Sequence, residues 1–163
     1  MLEKCTNAKE LWGGVHDLID RWLNERREVI VRMFEIKSLP GSKESQQPIE
    51  RRVESFCEVL VDYISAGHFE IYEQLMREAR EFQDGGTELA EVLFPRIQAT
   101  TELILDFNDT YCGVEETRAN LETLEADVSR VAEALEERFE LEDQLIQALH
   151  EVHRDKVLTT STE

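Results

Sequence analysis

Phe56-Cys57-Glu58-Val59-Leu60-Val61-Asp62-Tyr63-Ile64-Ser65-Ala66-Gly67-His68-Phe69-Glu70-Ile71-Tyr72-Glu73 decides how this chain folds. Phe56, Leu60, Tyr63 and Ile64 recur at helical spacing and define an amphipathic helix. Gly67 then interrupts the pattern, and two aromatics follow within six residues. The glycine is expected to break or bend the helix, with Asp62 or Ser65 capping the junction. Phe69 and Tyr72 would open the apolar face of a third helix, running on through Leu75, Met76, Ala79 and Phe82 to Asp84-Gly85-Gly86.

The same periodicity extends in both directions. Upstream, Leu11, Trp12, Val15, Leu18, Ile19, Trp22, Leu23, Ile30, Met33 and Phe34 form one stripe, and Asn7 with Glu10 has capping-box spacing. Ser38-Leu39-Pro40-Gly41-Ser42 stops that helix. Pro48 suits the opening of the next. Downstream, Thr87 is an N-cap type, and Leu89, Val92, Leu93, Ile97, Ile104, Leu105 and Tyr111 follow, with a kink or restart expected at Pro95. Gly113 ends that helix. The last runs from about Glu115 to His153 through Leu121, Leu124, Val128, Val131, Leu135, Phe139, Leu145, Ile146, Leu149 and Val152, and residues 154–163 are expected to fray. With no strand pattern and short connections, the expectation is all-α: an antiparallel helical bundle with a four-helix core and short extra helices, one domain over residues 1–163.

Composition narrows the function. The 163 residues are 41% hydrophobic and 33% charged, and the net charge is −18. That charge argues against direct binding to nucleic acid, whose phosphates need Lys and Arg, and against an anionic membrane surface. It favours a basic partner or serves solubility alone. Three widely spaced cysteines, Cys5, Cys57 and Cys112, fit a reducing compartment. No signal peptide or apolar span appears, so a cytoplasmic location is expected.

Catalytic and metal patterns are missing. A di-iron bundle needs Glu-x-x-His on two helices, but Gly13, Ser65, Gln147 and His150 precede the four histidines by three. His150 and His153 lack a specified third ligand. No Cys-x-x-Cys, Gly-x-Ser-x-Gly or phosphate loop occurs. The reading is no enzyme, no metal and no cofactor. The informative residues are polar ones in apolar stripes. Arg26 interrupts the first stripe, Glu142 sits in the middle of the last, and Thr101 and Asn108 fall on the inner face of the fourth helix. Either these build a buried polar layer that includes an Arg26–Glu142 pair, or Arg26 snorkels outward and Glu142 lies near an open end.

The segment from Leu60 to Glu73 resembles the signature of the Rsd/AlgQ family, the regulators of sigma D. Asp20-Arg21-Trp22-Leu23 with Arg26, and Arg138-Phe139-Glu140-Leu141-Glu142-Asp143, resemble it too, over about Met1 to His153. Glu10-Leu11-Trp12-Gly13-Gly14-Val15-His16 is similar to the AlgQ branch, which is associated with alginate regulation. The resemblance implies a helical anti-sigma factor. It would bind region 4 of the housekeeping sigma-70 factor, as a monomer when bound, competing with core RNA polymerase and −35 promoter DNA. Carried onto matching positions, it makes Asp62 the main sigma contact, with Ser65, Phe69 and Tyr72 beside it. It assigns Trp22, Arg26, His68, Arg138 and Glu142 to an interior polar layer. The alternative is a small-ligand-binding or enzymatic bundle using that layer. Residues 38–47, 83–86 and the tail do not match the family pattern, and nothing is transferred there.

Overall fold

The computed structural model describes residues 14–37, 47–73, 76–77 and 86–160, with the side chains of 14–16, 68–70, 86–87 and 148–160 outside that description. The elements are α1 (Gly14–Ile36), α2 (Ile49–Ala66), a π-helical turn (Gly67–Tyr72), α3 (Gly86–Thr110), α4 (Val114–Ala119) and α5 (Leu121–Thr160). The fold is an all-α helical bundle.

Contacts along the helices fix their directions. Arg26 meets Tyr63, while Arg52 reaches back to the Glu35 carbonyl, so α1 and α2 are antiparallel. Phe56 packs on Phe107 and Tyr72 on Phe94, so α2 and α3 are antiparallel. Arg138 meets Thr101, and the Tyr111 hydroxyl reaches Asp127, so α3 and α5 are antiparallel as well. It follows that α1 and α5 also run in opposite senses. Short connections between amphipathic helices favour this up-down order.

The core is filled by one side of each helix. In α1 the buried positions are Ile19, Trp22, Leu23, Arg26, Val29 and Ile36. The stripe therefore passes through Val29 and not Ile30, and Phe34, expected inside, is 64% exposed. Arg26 thus occupies a true stripe position, one turn after Trp22. From α2 come Val53, Phe56, Cys57, Leu60, Tyr63 and Ile64, all buried. In α3, Val92 and Leu105 stand exposed, and the buried face runs through Ala90, Leu93, Ile97, Ile104 and Phe107.

The expected break at Gly67 is a π-helical turn instead. Gly67 has ordinary right-handed helical angles, φ −55° and ψ −50°. Its value lies in what its missing side chain allows. A Cβ there would come within 3.1 Å of Trp22 Nε1 and 3.3 Å of two further indole carbons. The indole lies flat against this stretch, stacked on Tyr63 with 5.4 Å between ring centres, and its Nε1–H donates to the Tyr63 carbonyl. Glycine is therefore needed for close packing, not for a left-handed turn. A Gly67→Ala variant gains helix propensity, worth about 1 kcal/mol. It also brings a methyl to 3.1 Å from the buried indole, tighter than ordinary contact, a cost of about 1–3 kcal/mol. Net destabilisation of about 1 kcal/mol is expected in urea unfolding; a stabilised variant would show that the indole is free to shift.

Three other helix boundaries differ from the sequence pattern. Pro95 lies inside α3, which continues without a restart; both Pro95 and Glu91, the residue whose carbonyl loses its partner, are on the exposed side, where water can replace the bond. The long last helix is divided at Asn120, where α4 closes through the Asn120 N–H to Thr117 carbonyl bond, and α5 begins at Leu121. Helical backbone continues to Thr160, beyond the helix end expected near His153. The capping pair Asn7–Glu10, the loop 38–46 and the Thr87 side chain lie outside the described residues. Among the described residues, no helix is long and apolar enough to cross a membrane.

Candidate functional site

The π turn brings its neighbourhood together. Nine residues separate Tyr63 from Tyr72. At about 100° per residue they would stand roughly on opposite sides of an α-helix. A π turn takes up about one extra residue, which swings Tyr72 back to roughly 80° from Tyr63. Both phenols then reach the same carboxylate.

That carboxylate is Glu142 on α5, 0% exposed. Its Oε2 accepts from the Tyr63 hydroxyl and from Arg26 Nη2, the latter at 3.1 Å. Its Oε1 accepts from the Tyr72 hydroxyl at 2.6 Å and from Arg138 Nε at 2.8 Å. Four donors meet the four lone-pair sites of one carboxylate, so its hydrogen-bonding capacity is filled. Arg26 also donates from Nε to Tyr63 at 3.0 Å and from Nη1 to Asp143 at 2.7 Å. Arg138 donates from Nη1 to Thr101 at 2.6 Å and Thr100 at 3.1 Å. The layer so built ties α1, α2, the π turn, α3 and α5 at one level. Two arginines face Glu142 and the partly exposed Asp143, so the formal charges cancel.

Aromatic rings enclose the charges. The Arg26 guanidinium stands 4.7 Å from the Phe139 ring centre and 5.3 Å from that of Trp22. Such faces stabilise a cation while excluding water. Burial works against the Arg26 charge, but Tyr63, Glu142 and Asp143 more than offset it and hold the guanidinium above its ordinary value. The phenols of Tyr63 and Tyr72 are also raised, first by burial and then by the Glu142 charge. Both hydroxyls thus stay protonated and remain donors. Beneath the layer, burial pushes the Cys57 thiol up to about 12.

These three groups give a pH prediction. Each holds its proton more tightly in the folded chain than in the unfolded one. The unfolded chain releases protons first as pH rises, so the stability they contribute is complete below the ordinary thiol value of 9.0 and is lost above it, further past the phenol value of 10.0. The melting temperature is expected to fall from about pH 9 upward. A Tyr63→Phe, Tyr72→Phe, Cys57→Ala variant should show a shallower alkaline decline; an unchanged slope would contradict this account.

The residues assigned from the sequence separate into two groups. Trp22, Arg26, Arg138 and Glu142 lie together in the interior layer. The side chain of His68 lies outside the described residues, as does that of Phe69. Asp62 and Ser65 are exposed, one helical turn apart on the outer side of α2. Tyr72, grouped with them from the sequence, is 5% exposed and points inward to Glu142. The sequence reading missed Tyr63, Thr100 and Asp143 as members of the layer. Tyr63 had a signal, a phenol on the apolar stripe whose hydroxyl needs a partner. Among the described residues, no group of three His, Cys, Asp or Glu side chains is placed to hold a metal ion.

Residues 1–150 match the family of regulators of the RNA polymerase sigma(70) subunit, Rsd/AlgQ. The chain belongs to the Rsd/AlgQ family. Its relatives include the regulator of sigma D of Yersinia pseudotuberculosis serotype O:1b (strain IP 31758), 34% identical over 148 residues that cover 90% of this chain and 88% of that protein. The regulator of sigma D of Yersinia pestis is 33% identical, with the same coverage of both chains. That of Salmonella paratyphi B (strain ATCC BAA-1250 / SPB7) is 34% identical over 158 residues, 95% of each chain. The Rsd/AlgQ match spans every element that contributes to the Glu142 layer, from α1 through the middle of α5.

Proposed function

We propose that this chain is an anti-sigma factor that binds region 4 of the housekeeping sigma-70 factor and withholds it from core RNA polymerase and from −35 promoter DNA. The observation that carries this reading is the family match over residues 1–150. The chain acts by binding, as a monomer in the complex, in the cytoplasm where polymerase works, and it catalyses nothing.

The geometry supports a division of labour. Asp62 and Ser65 present polar groups outward from the end of α2, with Phe69 one turn further on in the π turn. Tyr72 acts behind this face, anchoring the turn to Glu142. The interior layer of Trp22, Arg26, Arg138 and Glu142 holds the face in register. A helix-turn-helix that reads DNA exposes basic groups to phosphate. Acidic side chains on a rigid helix can take their place, and the net charge of −18 speeds the encounter.

The test is competition. The full chain is added to a mixture of sigma-70 and core polymerase, and the sigma retained on core is measured by gel filtration. Displacement into a complex with this chain, with reduced transcription from a −35-dependent promoter, is the expected result. Full retention of sigma on core at a large excess of the chain would overturn the competition.

A further inference from the structure

A cavity of about 770 Å³ opens beside the interior layer, between the π turn, α3 and α5. Protein interiors are close-packed, and this volume falls within the range of small-molecule sites, about 300–1,000 Å³. Phe94, Met76 and Leu105 give it apolar walls. Arg138 and Thr101 give it a polar base.

We propose that this cavity binds a small organic acid with an apolar body, its carboxylate directed at Arg138. The hydrogen-bond inventory of that residue points to an acceptor. A guanidinium carries five N–H groups. Nε–H is taken by Glu142, and the two on Nη1 by Thr101 and Thr100. Nη2 has two, and its one acceptor among the described residues is the Tyr72 hydroxyl, at 3.5 Å. Arg138 is only 1% exposed. A donor so buried costs stability while unpaired, and a ligand oxygen entering from the cavity would satisfy it. Charge selects the acid over a neutral acceptor. A hydrogen bond from a guanidinium to a carboxylate is charge-assisted and roughly twice as strong as one to a neutral acceptor. Glu73 and Arg77, one of each charge, also line the cavity. The apolar walls require the rest of the ligand to be hydrocarbon or aromatic.

The site does not depend on the anti-sigma reading and is tested without sigma. Naphthalene-1-acetate is titrated into the full chain, following the methyl resonances of Ile64, Ile97 and Leu105 by NMR, with naphthalene-1-methanol as the uncharged comparator. Saturable shifts with a Kd below about 1 mM, at least several-fold weaker for the alcohol, are expected. Leu105→Trp narrows the mouth at a position already 41% exposed, so the fold should tolerate it, and binding should be lost. Should that variant fail to fold, Ser65→Phe, on the exposed rim, replaces it. The absence of saturable shifts, equal affinity for the alcohol, or undiminished binding in a folded rim variant would each overturn the proposal.

Discussion

Replacing Glu142 with leucine should lower stability by about 3–5 kcal/mol, the cost of breaking a buried ion pair from one side. For a chain of this size that is a fall in melting temperature of roughly 6–20 °C. The reason is the asymmetry of the layer. Glu142 is the common acceptor for Arg26, Arg138, Tyr63 and Tyr72, and without it two guanidiniums remain buried with their main acceptor gone. Glu142→Gln should lose less. The amide keeps one acceptor oxygen and the side-chain volume, while its NH₂ faces groups that donate. Adding Arg138→Met to Glu142→Leu should recover part of the loss, because one stranded charge is removed with its partner. Thermal melts of the three variants decide this. Melting temperatures unchanged in both Glu142→Gln and Glu142→Leu would show that the layer contributes nothing to stability.

Asp62→Ala should leave the fold intact and weaken sigma binding by more than tenfold. Asp62 is exposed and engages no other described side chain, so its removal falls within the roughly ±0.5 kcal/mol typical of plain surface changes. At an interface the same carboxylate would face a basic group, and hot-spot truncations cost about 2 kcal/mol or more. The pair of measurements is a melting curve and a titration with sigma region 4. Full affinity in a folded Asp62→Ala protein would remove this residue from the interface. A large drop in melting temperature would instead make it part of the structural support.

The contrast between Asp62 and Glu142 also marks what the sequence can reveal. A charged residue at a stripe position must find a partner or leave the core, and this is why Arg26 and Glu142 stood out together. Asp143 did not stand out, since it lies one position off the stripe and meets Arg26 only because α1 and α5 are antiparallel neighbours at that level. Tyr72 was legible as an aromatic but not as an interior donor. Its direction depends on a π turn, whose one extra residue shifts the phase of the stripe. Gly67 was conspicuous, yet its reason lies across the bundle in the Trp22 indole, 41 to 45 residues away in sequence from its contacts in α2 and the turn. Val29 and Phe34 show the limit of phase: both are apolar and both fit a helical period, and only packing decides which one is buried. The split at Asn120 was hidden by strong helix formers on both sides. The cavity had no sequence signature, because a void is a property of packing and not of any residue.

Binding of the full chain to isolated sigma-70 region 4 across a salt series tests the central claim most directly. At low ionic strength the Debye length spans the gap between facing charges, about 30 Å at 0.01 M, and it shrinks to about 3 Å at 1 M. A surface with a net charge of −18 meeting a DNA-reading domain should bind at low salt and weaken steadily as salt is added. Saturable binding that weakens in this way is the predicted result; no binding to region 4 even at the lowest salt would contradict it.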